Sequence, residues 1–139
     1  MKSLILPMLS LLLSGYQQPA ATLKIEITNV KSGHGKLWFA VFRPGEKFGE
    51  GQPSIYKILE VKSTANHAAT FQLAPGQYAL AVYHDLNKND LLDKNFIGIP
   101  KEPYGFSNNF RPKFSPPKFE DCAFELTASG KQISVKLTN

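Results

Sequence analysis

From residue 22 onward the chain is written in short runs that alternate apolar with polar residues, each closed by Gly, Pro, Asn or Ser before a helical repeat could establish itself. A period of two buries one face of a strand, so such a chain is restricted to β-sheets whose apolar faces must meet. In residues 22–30, Leu23, Ile25 and Ile27 oppose Lys24, Glu26 and Thr28. Residues 36–43 are apolar on both faces, which predicts a central strand with Trp38 in the core. Further strands are expected over 55–62, where the register is ambiguous, and over 67–73, 77–83, 119–127 and 132–138. Pro75-Gly76 predicts a type II turn with Gly76 at positive φ, and residues 128–131 a tight turn.

Seven strands in a chain of 139 residues predict one all-β domain over residues 22–139. Its expected architecture is a seven-stranded β-sandwich of immunoglobulin or transthyretin type with one long ordered loop, about residues 84–118. That loop shows no sustained alternation and is far longer than an ordinary connection. It holds Phe96, Ile97, Ile99, Tyr104, Phe106, Phe110 and Phe114, too apolar for a disordered segment. A compact, ordered loop is therefore expected, packed on itself or on the sandwich, its aromatics more often forming a miniature core of their own.

Residues 1–21 predict a signal peptide: Lys2, then an apolar run from Leu4 to Leu13 that is too short to span a membrane. Gly15 and the Ala20-Ala21 pair both offer cleavage positions. Export to the periplasm or the cell exterior follows as an expectation, with no transmembrane segment in the mature chain. The single Cys122 cannot form an intrachain disulfide and falls in an alternating segment, so a buried thiol is expected. Sixteen Lys and Arg against eleven Asp and Glu give a net charge of +5. The nearest thing to a basic cluster, Arg111, Lys113 and Lys118, is interrupted by Phe and Pro, and with export it argues against a nucleic-acid partner.

Asp85, Asn87, Asn89 and Asp93 occupy positions 1, 3, 5 and 9 of a loop in which the Leu91 carbonyl stands at 7. Alternate residues of a tight arc face inward, so these five oxygens suit calcium, which takes six to eight and can add water. Two positions depart from that pattern. Asp90 stands where a Gly would ease the turn, and Phe96 stands where a bidentate Glu is expected, so Glu102 or a later carbonyl would have to fold back. The expected affinity is weak, on the order of 10⁻⁴ to 10⁻³ M. Magnesium, with its small rigid octahedron, fits less well. The same side chains would equally serve as turn caps, accepting from backbone N–H groups two residues on. His84 suits a hydrogen bond at the loop base better than a metal, since neither His34 nor His67 lies at metal-ligand spacing. Gly105 and the pair Asn108-Asn109 suit left-handed turns.

The motifs His84-Asp85-x-Asn87-x-Asn89-x-x-x-Asp93, Gly98-Ile99-Pro100-Lys101-Glu102 and Tyr104-Gly105-Phe106-Ser107-Asn108 together resemble a family of exported bacterial proteins known only as a domain of unknown function. The resemblance runs over the whole mature chain. It implies a small immunoglobulin-like sandwich behind a signal peptide and carries no activity to transfer. The chain departs from the family at Asp90 and Pro103, where Gly is more usual.

The function expected from these features is that of an exported, non-catalytic binding or interaction module. It would present the long loop, with calcium as candidate cofactor, to a surface protein or glycan. A structural envelope protein without ligand is the alternative. A small hydrolase would need His84, Asp85 and Ser107 as a triad, yet the chain has neither a Gly-x-Ser-x-Gly elbow nor a His-Glu-x-x-His helix, and adjacent side chains rarely point at one another.

Overall fold

The computed structural model describes residues 15–139; of the expected signal peptide, residues 1–14 lie outside the described residues. Eight strands follow in order: β1 (Ala21–Thr28), β2 (Lys36–Phe42), β3 (Ile55–Glu60), β4 (His67–Leu73), β5 (Gly76–Asp85), β6 (Tyr104–Phe106), β7 (Phe124–Leu126) and β8 (Lys131–Lys136). A 3-10 turn, Ser107–Asn109, follows β6, and a single helical turn, α1 (Phe119–Cys122), precedes β7. Among the described residues no helix is long and apolar enough to cross a membrane.

The strands form an all-β sandwich of two sheets. One has the order β4-β1-β8, with β4 antiparallel and β8 parallel to β1. The other runs β3-β2-β5-β6, and β7 pairs with the first residues of β5 on the edge that β6 occupies further along. Alternation fills the space between them: Leu23, Ile25 and Ile27 of β1 meet Leu37, Phe39 and Val41 of β2 and Leu80 of β5, all fully buried. Burying a side chain of this size stabilises the fold by about 1.5–3 kcal/mol before entropy is counted. The Tyr78 hydroxyl donates back to the Ala74 carbonyl at 2.7 Å, the corner contact of immunoglobulin-type sandwiches. Cys122 is buried as expected, and desolvation, helped by Asp121, pushes its thiol up to about 12.

Several expectations are corrected. Trp38 lies on the outer face of its sheet and is half-buried there, because the core takes the other parity of β2. In β3, Ile55 and Leu59 pack on the core while Tyr56 and Ile58 face outward, which resolves the register. Gly76 sits at φ 159°, near extended backbone, and is already paired with Leu126, so the chain bends at Pro75 without a type II turn. Residues 119–122 are helical, leaving only β7 of the expected strand. The 84–118 interval is not one loop, since β6 and the 3-10 turn divide it and bring the strand count to eight. Its aromatics do not form a separate core: Phe106 packs on Phe48, whereas Phe96 and Phe114 are fully exposed.

Gly105 is not left-handed either. A Cβ there would lie 2.7 Å from Val135 Cγ1, so β6 can cross β8 only with a residue that has no side chain.

Candidate cation loop

The loop begins where β5 ends. Asp85 is the last residue of that strand, paired with Lys36 of β2, and its side chain is fully buried. Its Oδ1 accepts the Asn89 N–H at 3.2 Å and its Oδ2 the Asp90 N–H at 2.8 Å, which pulls the chain into a tight arc. Two non-glycine residues take left-handed backbone to make that arc, Lys88 at φ 57° and Asp90 at φ 61°. Asp90 therefore adopts the conformation that a Gly would have eased, and an Asx residue bears the cost better than most.

Within the arc the expected residues converge. Asn87 Nδ2 donates to Asp93 Oδ2 at 2.7 Å, and Asn89 Nδ2 reaches both Asp93 oxygens, at 3.0 and 3.2 Å. Asn89 Oδ1 accepts the Leu91 N–H at 3.0 Å, an Asx-type contact, while the Leu91 side chain points to solvent. The turn-capping and the converging arrangements thus coexist in the same side chains. Phe96, at the twelfth position, is 99% exposed and cannot close the ring.

Glu102 folds back instead. It is 5% exposed, and its two oxygens accept the Leu86 N–H at 3.0 Å and the Asp93 N–H at 3.1 Å. One carboxylate therefore clamps both ends of the arc, with a lone pair left on each oxygen. Lys101 N–H also bonds the Asp93 carbonyl at 2.8 Å. The Glu102 position follows from the chain's return through Lys94 and Pro100, which bridge as a short antiparallel pair, and no local spacing in the sequence announces it.

The loop is anchored at its base. His84 is fully buried, its N–H takes the Pro103 carbonyl at 2.8 Å and its Nε2 donates to the His34 carbonyl at 2.7 Å, the role expected of it; Nδ1 has no partner among the described residues. Gly35, at φ 91°, lies so close to the Asp85 carbonyl that a Cβ would stand 2.5 Å from it. At the surface, Lys36 pairs with Asp90 at 3.3 Å and Lys88 with Glu60 at 2.8 Å. The Lys88 hydrogen bond holds the Glu60 carboxyl below its usual value. Among the described residues no three His, Cys, Asp or Glu side chains gather as a metal-holding group, so any cation here would draw on the amide and carbonyl oxygens as well.

Ser107 is placed away from His84 and Asp85. Its buried hydroxyl accepts the Leu80 N–H at 2.9 Å and donates to the Cys122 carbonyl, and Leu80 stands four residues, or about 13 Å, along β5 from His84. These three residues do not form a triad. Ser107 instead belongs to a staple with its neighbours: left-handed Asn108 donates to the Ala123 carbonyl at 2.9 Å and left-handed Asn109 accepts the Lys136 N–H at 2.9 Å.

Residues 25–134 match the family described as "uncharacterized protein conserved in bacteria" (DUF2141), and the chain belongs to that family. No curated protein and no solved structure matches it.

Proposed function

We propose that this DUF2141 member is an exported, non-catalytic binding module whose 85–93 loop takes up calcium. The observation that carries the reading is the convergence of Asn87 and Asn89 on the Asp93 carboxylate, across an arc that Asp85 already holds closed. The two amides point their N–H groups at Asp93. Rotating each about its last torsion brings its oxygen to the Asp93 side and turns two donors to a carboxylate into two ligands beside it. The cost is the bonds that Asn87 Oδ1 and Asn89 Oδ1 accept from the Asn89 and Leu91 N–H groups at 3.3 and 3.0 Å. Asp85, Asp93 and the Leu91 carbonyl supply the remaining protein oxygens. Two carboxylates with neutral partners correspond to the weak calcium sites of extracellular modules, on the order of 10⁻⁴ to 10⁻³ M. Export rests on the apolar amino-terminal run after Lys2. The loop, stiffened by its ion, would face a surface protein or a glycan.

Thermal unfolding in calcium, magnesium or chelator tests the proposal. At a hundredfold excess over Kd, calcium should stabilise the chain by about 2.7 kcal/mol, and magnesium by less. The gain should vanish in the Asp85→Ala, Asp93→Ala double variant. An equal midpoint in calcium and chelator would leave the Asx side chains as turn caps and remove the cation from the account.

A further inference from the structure

Between Asp93 and Glu102 the chain leaves the cation arc, reverses, and returns to it. Lys94 and Pro100 bridge as an antiparallel pair, Lys101 N–H bonds the Asp93 carbonyl at 2.8 Å, and Glu102 accepts the Asp93 N–H at 3.1 Å. Asn95 shapes the reversal. Its N–H donates to the Ile99 carbonyl at 2.8 Å, its carbonyl accepts the Gly98 N–H at 3.0 Å, and its Oδ1 accepts the Ile97 and Ile99 N–H groups at 3.1 and 3.0 Å. Gly98 closes the turn at φ 84°. Residues 94–101 are thus a knob held on the same neck as the 85–93 arc.

What the knob presents is apolar. Phe96 is 99%, Ile97 65% and Ile99 52% exposed, and Leu91 on the neighbouring arc is 65% exposed. Among the described residues these four are half of the large apolar side chains left in solvent. Apolar residues exposed singly are ordinary, but a cluster of them on an internally bonded turn marks a contact surface.

Three features of the knob point to a bilayer surface as its partner. It satisfies its own donors: every backbone N–H from Asn95 to Ile99 except that of Phe96 is bonded within the turn, which lowers the cost of entering a medium without water. It is a small projection. A stable protein interface buries roughly 800 Å² on each partner, more than these few side chains supply, whereas an interfacial anchor needs only apolar tips that reach the boundary between headgroups and acyl chains. Its two feet are Lys94 and Lys101, both exposed, whose ammonium groups suit headgroup phosphates.

Carboxylates oppose that attraction until an ion arrives. Over residues 85–102, Asp85, Asp90, Asp93 and Glu102 outnumber Lys88, Lys94 and Lys101 by one, and the ion-pair partners Lys36 and Glu60 cancel each other. A bound calcium turns this excess of one negative charge into an excess of one positive charge. We propose that the 94–101 knob docks the protein on an anionic membrane surface when calcium fills the arc, seating Phe96, Ile97 and Ile99 at headgroup level. The proposal rests on the calcium reading above and adds a lipid contact to it.

The experiment sediments the chain from Gly15 onward, which carries every strand and lacks the apolar run that would itself bind lipid. The vesicles are phosphatidylcholine alone or equal parts phosphatidylcholine and phosphatidylglycerol, each in calcium and in chelator. Pelleting with the anionic vesicles in calcium is expected, at least tenfold weaker in chelator and with phosphatidylcholine alone. Phe96→Ser with Ile97→Ser, at exposed positions that leave the core untouched, should weaken it at least tenfold while keeping the calcium-induced rise in thermal midpoint. Phe114→Ser, at the other fully exposed Phe, should bind as the parent does. No pelleting in calcium, equal pelleting in chelator, or a double variant that binds unchanged would overturn the proposal. Loss of binding in Phe114→Ser would move the contact to that segment, and pelleting in calcium without vesicles would assign the knob to a second copy; either overturns it. An unmoved midpoint in the vesicle-free melt removes the calcium reading and this proposal with it, whereas a raised midpoint without pelleting removes the lipid contact alone.

Discussion

Two Asx-rich stretches flank β6, and they differ in where their side chains bond. Around Asn108 every polar group reaches another element: Ser107 braces β5 and α1, Asn108 holds the chain entering β7, and Asn109 holds β8. Around Asn89 the amides bond inside their own arc, to Asp93 and to the backbone two residues on. The difference separates a staple from a site. Groups committed to distant strands are fixed by the fold, whereas groups that satisfy only one another can exchange partners when an ion arrives.

The largest test of that contrast falls on the staple. Gly105→Val, on the strand that leads into it, should push Val135 and the Lys136 carbonyl away from β6, costing about 1–3 kcal/mol of overpacking, read as a lower urea midpoint with or without calcium. Ser107→Ala should come next. It strands the buried Leu80 N–H and the Cys122 carbonyl, at about 1–3 kcal/mol, again without any change in calcium response. A calcium-dependent defect in either variant would break the distinction.

On the site the expectation reverses. Asn89→Ala should lower stability in chelator by less than about 1 kcal/mol, because its bonds are solvent-exposed, yet should weaken calcium binding measurably by titration calorimetry. The smallest effect is on pH. Lys88 lowers the folded-state value of Glu60, so this pair contributes stability that is present above the unfolded value of about 4.3 and is lost as pH falls through the lower folded one. Lys88→Met should flatten the acid limb of the stability curve below that pH, and an unchanged limb would mean that the pair does not hold the loop.

How legible all this was depends on length and parity. The long strands declare themselves by runs of six or more residues that outlast chance, alternating in β1 and apolar on both faces in β2 and β5. Strand β6 has three residues, too few for a period, and is formed by pairing with β5, whereas β7 is the part of the strand expected over 119–127 that pairing with β5 retains. Trp38 misleads because β2 is apolar on both faces, and only the facing sheet determines which parity becomes core. The spacing of Asp85, Asn87, Asn89 and Asp93 survives into the folded arc because it is local. Glu102 is named by the missing ligand at position 12 as one candidate to fold back, and only the return of the chain decides it, while Gly105 reads as a turn former until the passage of β8 behind it is seen.

Amide nuclear magnetic resonance of the labelled chain during a calcium titration tests the central claim most directly, since both stretches report in one spectrum. The account predicts saturable shifts confined to residues 85–102, strongest at Asn89, Asp90 and Leu91, with Ser107, Asn108 and Asn109 unmoved. No shifts at all, or shifts as large around Asn108 as around Asn89, would contradict it.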